Sequence, residues 1–591
     1  MKRKLILVLI CLPFLGLGQA IYEPVTNNPV YELLDELAAL KVITINSVVK
    51  PYSRVYIANK LNQALENGQK LNKRQLDEVR FYLKDYSFEN GLDNNLINGL
   101  VAPSRAKKSD TSRVQDAGLT TSSSASLRFR MQVGGINGYG DKLKDSASRI
   151  LHPASFQLNP ISFRLNTAPF KLSISPWLGT RFMVNENGNF LEVSGGGEVY
   201  GYLTKHIGYY VNVKHVHQSE PLVNPVMLTL EEGKSWNYVG DGSVYNTEWR
   251  GGISVGWKWG DFGLYKDRPI WGNAVHGSNI MSGHAPSFPY FQLHLKPAKW
   301  IEFYSMTGFL QSNVIDSSRS SFSPGSEKIY YRKKYFSANF FTITPWKGLD
   351  LSVGNSIFWS DVFKVGYLMP FNLYKSVDQT LKGSVPYNEG VNTNDDGHLF
   401  LDISSRNIKH IQLYLGWWID DWVTSYFFNQ QLHNAFGWKL GAILYDLPVQ
   451  NLSLTIEGSI NRPRIYHEYI PANTYANDDY NFGNYLRDDS WELYISASYK
   501  PIRGLSVVLS YNIAQKGGFR YNLDDYTTYP ISKNLLFNQS TIEFSGSYQI
   551  TTNISTSVGY WFNMHSGDSQ IIPKIMHGNT NTFFAELILG L

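Results

Sequence analysis

Residues 491–511 read WELYISASYKPIRGLSVVLSY, two alternating stretches separated by a short turn around Pro501. In each stretch apolar residues occupy every second position: Leu493, Ile495, Ala497 and Tyr499, then Leu505, Val507, Leu509 and Tyr511. Because successive side chains of a β-strand point to opposite faces, each stretch is predicted to form a strand with one apolar and one more polar face. The short turn predicts that the two strands pair as an antiparallel hairpin.

The same order of polar turn and alternating strand recurs along the chain. The clearest turns lie near Pro297, Pro345, Pro448, Pro501 and Thr551. They are about 50 residues apart, or about twice that between Pro345 and Pro448, a length that suits one strand pair with a long loop in an outer-membrane barrel. Further turns are predicted near Phe170, Ile207, Phe262 and Lys409. Stretches rich in Asn, Asp, Gly, Ser and Tyr, including 241–250 and 471–489, are predicted to be solvated loops.

Strict alternation also marks the start of the β-rich region, where residues 127–133 read LRFRMQV. From there to the end of the chain, roughly 460 residues at about 50 per strand pair predict about 18 strands, with 16 to 20 left open. A soluble β-sandwich can alternate in the same way, but the regular turn spacing favours a closed barrel. We therefore expect a mainly β fold, with an antiparallel transmembrane outer-membrane β-barrel over residues 126–591.

Composition agrees with this fold class. Aromatic residues make up 14% of the chain, charged residues only 17%, and the mean hydropathy is −0.25. This balance is typical of a barrel with aromatic girdles and a polar lumen. A soluble enzyme of this length usually carries more charge.

The first 20 residues predict a secretory signal peptide, because Lys2, Arg3 and Lys4 precede a short apolar core and small residues at 18 and 20. Cleavage would remove Cys11, the single cysteine, and lower the formal charge from +5 to about +2. The mature chain is then expected to hold no disulfide. Its small charge does not favour nucleic acid as a partner.

Between the signal and the barrel the periodicity becomes helical. Helices are predicted to begin after Asn28, Ser53 and Asn72, the last with Gln75 placed for a capping box. We expect residues 21–100 to form a helical bundle that docks on the periplasmic mouth of the barrel, because about 65 residues make only a small core. The Ser/Thr/Lys-rich residues 101–125 are predicted to be a linker.

Several segments together resemble the capsule assembly proteins of the Wzi type. They are VYELLDELAALKVI (30–43), KPYSR (50–54), IANKL (57–61), YKDRPIWGNAVHGSNIMSGHAPSFPYFQL (265–293), GYLMPFNLY (366–374) and IQLYLGWWIDDW (411–422). The resemblance implies an outer-membrane barrel with a helical N-terminal bundle that retains exported capsular or exopolysaccharide as a lectin. It implies no cofactor, and as further partners outer-membrane lipid, lipopolysaccharide and the barrel assembly machinery. The final residue is Leu591, where many barrels end in Phe, although the last strand still alternates.

The segment from Tyr265 to Tyr290 holds the first candidate site. Lys266, Asp267, Arg268 and Trp271 place charged groups and a flat aromatic face within six residues, a combination that suits a sugar. The alternative is a lumen-facing ion network that braces the barrel wall. Prolines in this segment would interrupt a strand, so a loop that folds into the lumen is expected around Pro286.

A second candidate consists of Asp420, Asp421 and Trp422. Acidic residues beside tryptophans also mark strand ends at a membrane interface, and this alternative stays open.

Metal and catalytic patterns are weak. Residues 392–397 resemble the front of a calcium loop, but Ile403 stands where the terminal carboxylate belongs. His276 and Ser278 have the spacing of a hydrolase pair, without a third member at the expected distance. The other histidines, including His215, His217 and His565, show no metal-ligand spacing, so no metal is predicted.

Three classes of function remain. The first is a non-enzymatic lectin that anchors or organises polysaccharide at the cell surface, with many weak loop contacts adding up. The second is a porin or solute-selective channel, which an occluding loop around Pro286 would oppose. The third is an outer-membrane hydrolase that uses His276 and Ser278.

Overall fold

Eighteen strands close into one antiparallel barrel in the computed structural model, counted over the residues that it describes. Those residues are 20–26, 28–90, 155–159, 162–167, 170–323, 326–382, 395–420, 435–468, 470–518 and 535–590. The prediction of about 18 strands is confirmed. The expected strand at 127–133, the linker at 101–125 and nearly all of the expected signal segment lie outside the described residues.

The barrel strands follow one another around the ring in chain order. They are β1 Lys171–Asn185, β2 Gly188–Tyr202, β3 Ile207–Gln218, β4 Val244–Trp257, β5 Gly260–Asp267, β6 Phe288–Ala298, β7 Ile301–Leu310, β8 Lys334–Trp346, β9 Leu349–Ser360, β10 Asp396–Ser405, β11 Ile411–Ile419, β12 Phe436–Tyr445, β13 Leu452–Asn461, β14 Ser490–Tyr499, β15 Leu505–Gly517, β16 Leu535–Thr551, β17 Ile554–Gly567 and β18 Asn579–Leu589. Closure occurs where β18 pairs with β1, from Leu589 opposite Leu178 to Phe583 opposite Val184. A hairpin of Ser155–Asn159 and Ser162–Asn166 pairs with the other end of β1.

Shorter β-elements lie outside the ring. They are Val49–Lys50 paired with Ile270–Trp271, Ser321–Ser323 with Ser326–Lys328, Ala476–Asn477 with Tyr480–Asn481, and Asn237–Tyr238 on β4. Short 3₁₀ turns occur at Gly68–Lys70, Val365–Leu368, Pro471–Asn473, Ser569–Ile571 and Lys574–Met576.

Strand alternation decides which side chains point to the outer face of the barrel and which point into the lumen. In β15, Leu509 is 53% exposed on the outer face, whereas Ser510 next to it points inward and is buried. Outer residues are apolar on β14, β16 and β17 as well, for example Ile495, Phe544 and Val558. An outer surface of this kind suits lipid.

All the turns predicted from the sequence lie at one end of the barrel. Lys347 and Gly348 join β8 to β9, and Thr552 and Asn553 join β16 to β17. The opposite end carries the long loops, such as 219–243, 268–287 and 462–489. One expected loop, 241–250, is mostly strand, because β4 already begins at Val244.

The N-terminal helices are α1 Val30–Ala39, α2 Arg54–Glu66, α3 Lys73–Asp85 and α4 Ser87–Asn90, and a fifth, α5 Tyr374–Lys382, lies between β9 and β10. Ser53 caps α2 by accepting from the amide of Tyr56, and Asn72 with Gln75 forms the predicted capping box of α3. Leu33, Leu37, Ile57 and Leu83 form the core of this bundle. None of the described helices is long and apolar enough to cross a membrane.

The helical bundle closes the short-turn end of the barrel. Arg74 donates to Asn451 at 3.0 Å, Lys500 pairs with Glu32 at 2.7 Å, and Tyr82 donates to Gln549 at 2.7 Å. These barrel residues all belong to short turns, or to the strand end beside one.

The lumen holds an aromatic core rather than an open polar bore over much of its section. Loop 268–287 and loop 462–489 fold inward and pack against the inner wall of β6 and β8–β11. The rings of this core include Trp271, Phe288, Phe336, Phe340, Phe358, Phe400, Trp418, Tyr466, Tyr475 and Phe482. The inward-folded loop expected around Pro286 is therefore observed, whereas 471–489, expected to be solvated, is largely buried.

Candidate functional site at the long-loop end

A pocket of about 390 Å³ opens at the long-loop end of β4–β7, and we call it the rim pocket. Its lining combines charged and amide groups with two phenylalanine rings. The groups that bear on binding are Lys234, Glu248, Lys266, Arg268, Asn477, Asp478, Phe288 and Phe309. Two of the residues expected from the sequence, Lys266 and Arg268, thus meet in one pocket.

The chain brings Lys266 and Arg268 to the rim through the end of β5. Along that strand Phe262, Leu264 and Lys266 face outward, while Tyr265 and Asp267 face the lumen. The strand ends at Asp267, and Pro269 follows in the loop that turns into the lumen, since proline cannot donate to a strand ladder. Alternation therefore separates Lys266 from Asp267, although they are adjacent in sequence.

Arg268 lies in a buried ion network at the base of the pocket. Its guanidinium donates to Glu248 Oε1 at 2.8 Å and to the Gly233 carbonyl at 2.8 Å. Arg250 joins Glu248 at 3.0 Å and Glu232 at 2.8 Å. Burial favours protonation of Glu232, but Arg250 and Arg268 outweigh it and hold the pKa of that carboxyl well below its usual range. The network is therefore charged and braces loop 219–243 against β4; of the three charged residues Lys266, Asp267 and Arg268, only Arg268 belongs to it.

Two lysines and one aspartate are further polar groups in the lining of the pocket. Lys266 is exposed, and its ammonium donates to the Trp249 carbonyl at 2.9 Å. Lys234 lies 5.6 Å from the ring centre of Trp236. Asp478 accepts from Ser235 and, at 3.0 Å, from Asn313. An ammonium has three donors and a carboxylate several acceptor sites, so these groups have capacity left for hydroxyls or a carboxylate of a ligand.

Trp271 does not lie in the rim pocket. Its side chain is fully buried and stacks on Phe340 with ring centres 5.4 Å apart, and it meets Phe400 edge-on at 6.0 Å. Asp267 is also buried and accepts from the Tyr210 hydroxyl. Trp271 packs the lumen loop against the wall and Asp267 joins two wall strands, and neither side chain lines the pocket.

The second expected cluster is only partly described. Asp420 follows β11, accepts from the amide of Tyr466 at 2.9 Å and lies 3.7 Å from His398. Asp421 and Trp422 lie outside the described residues. Of the calcium-like run, Asp396 begins β10 with its side chain inward, and Asn392 and Asn394 lie outside the described residues.

His276 and Ser278 bond to different groups. The ring of His276 lies 2.8 Å from Glu492 and stacks on Tyr494, whereas the Ser278 hydroxyl donates to the Trp271 carbonyl. A serine nucleophile requires its base within hydrogen-bond reach, and the contacts of these two side chains do not supply it.

Sequence reasoning missed Lys234, Asn477 and Asp478 as pocket residues. The latter two come from loop 462–489, whose Tyr475, Tyr480 and Phe482 are anchored in the lumen. The aromatic spacing of this loop was the available signal, because solvated loops seldom carry so many large rings.

The fold and site together define a closed eighteen-stranded barrel with an aromatic core in its lumen, a helical cap at one end and a polar pocket at the other. Among solved structures, the chain is similar to Wzi of Escherichia coli, described as an outer-membrane protein involved in group 1 capsule assembly and a carbohydrate-binding β-barrel. The match covers 97% of this chain and 99% of that chain, with a TM-score of 0.53 and 10% identity.

Two proteins of Pseudomonas aeruginosa match less well. OccK8 (OprE) covers 72% of this chain with a TM-score of 0.40 and 10% identity, and 98% of that chain is matched. OccD3 (OpdP) covers 71% of this chain and 91% of that chain, with a TM-score of 0.38 and 11% identity. No protein-family model matches the sequence, and no curated protein does.

Proposed function

We propose that the protein is a non-enzymatic outer-membrane barrel that binds exported capsular or exopolysaccharide and anchors or organises it at the cell surface. The observation that carries the proposal is the rim pocket, which is lined by ammonium, carboxylate and amide groups and by the partly exposed ring of Phe309. Hydroxyls and carboxylates of a sugar pair with such polar groups, and the apolar face of a pyranose packs on a ring.

The orientation in the membrane follows from the two barrel ends. Outer-membrane barrels keep short turns on the periplasmic side and long loops outside. The helical bundle would then lie in the periplasm and the rim pocket at the cell surface. Lipopolysaccharide would surround the barrel, and the barrel assembly machinery would insert it.

The overall likeness to a carbohydrate-binding barrel supports the proposal through the fold. The porin alternative is opposed by the aromatic core, because loops 268–287 and 462–489 occupy the lumen that an eighteen-stranded pore would leave open. A polymer with repeating units would gain avidity from many such pockets on one cell surface.

The proposal is tested by measuring cell-bound and shed polysaccharide in three strains: a deletion strain, a Lys234→Ala/Lys266→Ala strain, and a Lys258→Ala strain. Lys258 is exposed in the turn between β4 and β5, at the opposite end of the same hairpin from Lys266, and serves as the matched control. Heat-modifiable mobility of each variant checks that the barrel has assembled.

We expect the deletion and the double variant to shed polymer and the Lys258→Ala strain to retain it. Shedding in the deletion strain alone would support the anchoring function and reject the rim pocket as the binding site. Unchanged retention in the deletion strain would reject the function.

A further inference from the structure

A histidine and two carboxylates converge on the inner wall of the barrel, away from the rim pocket. Asp396 and His398 are two residues apart on β10, so both side chains point into the lumen. Leu399 pairs with Ile419 of β11, and this register places Asp420, one residue beyond β11, opposite His398. The three side chains thus meet because of strand register, although the sequence separates Asp420 from the other two.

The donor atoms have the spacing of a metal site. His398 Nε2 is 3.0 Å from Asp396 Oδ2 and 3.7 Å from Asp420 Oδ1. All three donor atoms lie within 4.8 Å of one another. Donors around a tetrahedral zinc ion at about 2.0–2.1 Å lie roughly 3.3 Å from each other, so small side-chain shifts would complete the coordination.

Both carboxylates face the same ring nitrogen. A protonated Nε2 carries one hydrogen and makes one strong hydrogen bond, whereas a metal ion attracts both carboxylates at once. His294 shows the contrasting arrangement, since its Nδ1 lies 2.9 Å from Asp261 and its Nε2 lies 2.9 Å from Glu302. That histidine forms two ordinary ion pairs on opposite sides of its ring.

Surrounding groups orient two of the three side chains in the way that metal ligands are oriented. His398 Nδ1 lies 3.3 Å from the Ser356 hydroxyl, which leaves Nε2 toward the carboxylates. The second oxygen of Asp420 accepts from the Tyr466 amide at 2.9 Å. Partners of this kind fix the tautomer and the direction of metal ligands.

The cluster is enclosed by aromatic rings. Trp418 and Tyr475 lie 4.8 and 4.9 Å from the His398 ring, and Asp396 and His398 are 4% and 2% exposed. The nearby ammonium of Lys334 donates to the Thr474 carbonyl at 2.6 Å.

We propose that Asp396, His398 and Asp420 bind one divalent metal ion, with zinc preferred for a donor set of imidazole and carboxylates. Through the Tyr466 contact the ion fastens loop 462–489 to the wall formed by β10 and β11. Because that loop contributes Asn477 and Asp478 to the rim pocket, the metal also orders one side of the pocket.

The test uses the full-length barrel. It is unfolded in a denaturant that contains EDTA, freed of the chelator, and refolded in detergent with zinc chloride. Zinc per protein is measured by mass spectrometry of the elements, and heat-modifiable mobility confirms folding. The variants are Asp420→Asn, which keeps an acceptor for Tyr466, and His398→Gln. His294→Gln is the matched control, because it removes a partly buried histidine that lies between two carboxylates elsewhere on the wall.

We expect about one zinc per wild-type and His294→Gln molecule, and an affinity at least about tenfold weaker in Asp420→Asn and His398→Gln. If His398→Gln does not fold, Asp420→Asn decides the question alone. A wild-type barrel that refolds without zinc, or cluster variants that hold zinc as tightly as the control, would leave only an ion pair and overturn the proposal.

Discussion

The amide of Gly272 donates to the carbonyl of Val48 at 2.7 Å, and this bond joins the lumen loop to the N-terminal helical region. The neighbouring residues continue the contact as a short antiparallel ladder in which Val49 pairs with Trp271. Ser47 on the helical side also donates to Asn273. The cap at the short-turn end and the loop inside the barrel are therefore one connected body, and loosening either is expected to loosen the other.

Trp271→Ala is expected to lower the free energy of unfolding by about 3–5 kcal/mol and to open the lumen, because it removes a fully buried ring from the aromatic core. Denaturant unfolding measures the first effect, and conductance in planar bilayers measures the second. Trp249→Ala is the control, since that ring is 57% exposed. High conductance of the wild-type barrel would contradict the occluded lumen and favour a channel.

Gly272→Ala is expected to destabilise the lumen loop by about 1–3 kcal/mol. Gly272 has φ +111°, which side chains rarely adopt, and a Cβ there would lie 2.5 Å from the Ser278 hydroxyl oxygen. Gly546→Ala places its methyl group in open space and should be nearly neutral. Limited proteolysis and hydrogen exchange of loop 268–287 compare the two variants, and equal protection in both would show that the loop tolerates the change.

Folding is expected to depend on pH through His284 in the lumen loop. Burial lowers the pKa of His284 from 6.5 to about 4. As the pH falls from about 6.5 to about 4, His284 therefore binds a proton in the unfolded chain but stays neutral in the folded chain. The stabilising contribution is complete above pH 6.5 and lost across that window, by about 3 kcal/mol at most.

Unfolding free energies of the wild type and His284→Gln at pH 7.5, 5.5 and 4 measure this dependence. The wild type should lose more stability than the variant between the first and last values. Parallel losses would assign the pH dependence to other groups.

Arg54→Met is expected to destabilise the helical region by at least about 3 kcal/mol. Arg54 is buried and pairs with Glu23 at 2.5 Å, Glu89 at 2.9 Å and Asp85 at 3.5 Å. Removing the cation leaves these carboxylates close together without their shared partner.

Protease sensitivity of residues 28–90 in the folded barrel measures the effect of Arg54→Met. Lys84→Ala is the control, because Lys84 is exposed on α3. A cap equally resistant in both variants would show that Arg54 is not what holds it.

The sequence by itself determined the strand count, the short turns and the helix caps, because each depends on local chemistry. Alternation in Leu493–Tyr499 specifies a strand with one lipid-facing side, and the capping box of Asn72 and Gln75 starts a helix wherever the segment lies. The prolines around Pro286 likewise indicated a loop that leaves the wall. None of these features needs a distant partner.

Only the tertiary structure decided what the side chains at the sites do. Trp271 lies at the centre of a core formed with Phe340 and Phe400. Asp420 meets His398 through the register of two strands, and Asp478 reaches the rim pocket because its loop is anchored in the lumen. These relationships depend on contacts between residues more than 20 positions apart, which local sequence patterns do not encode.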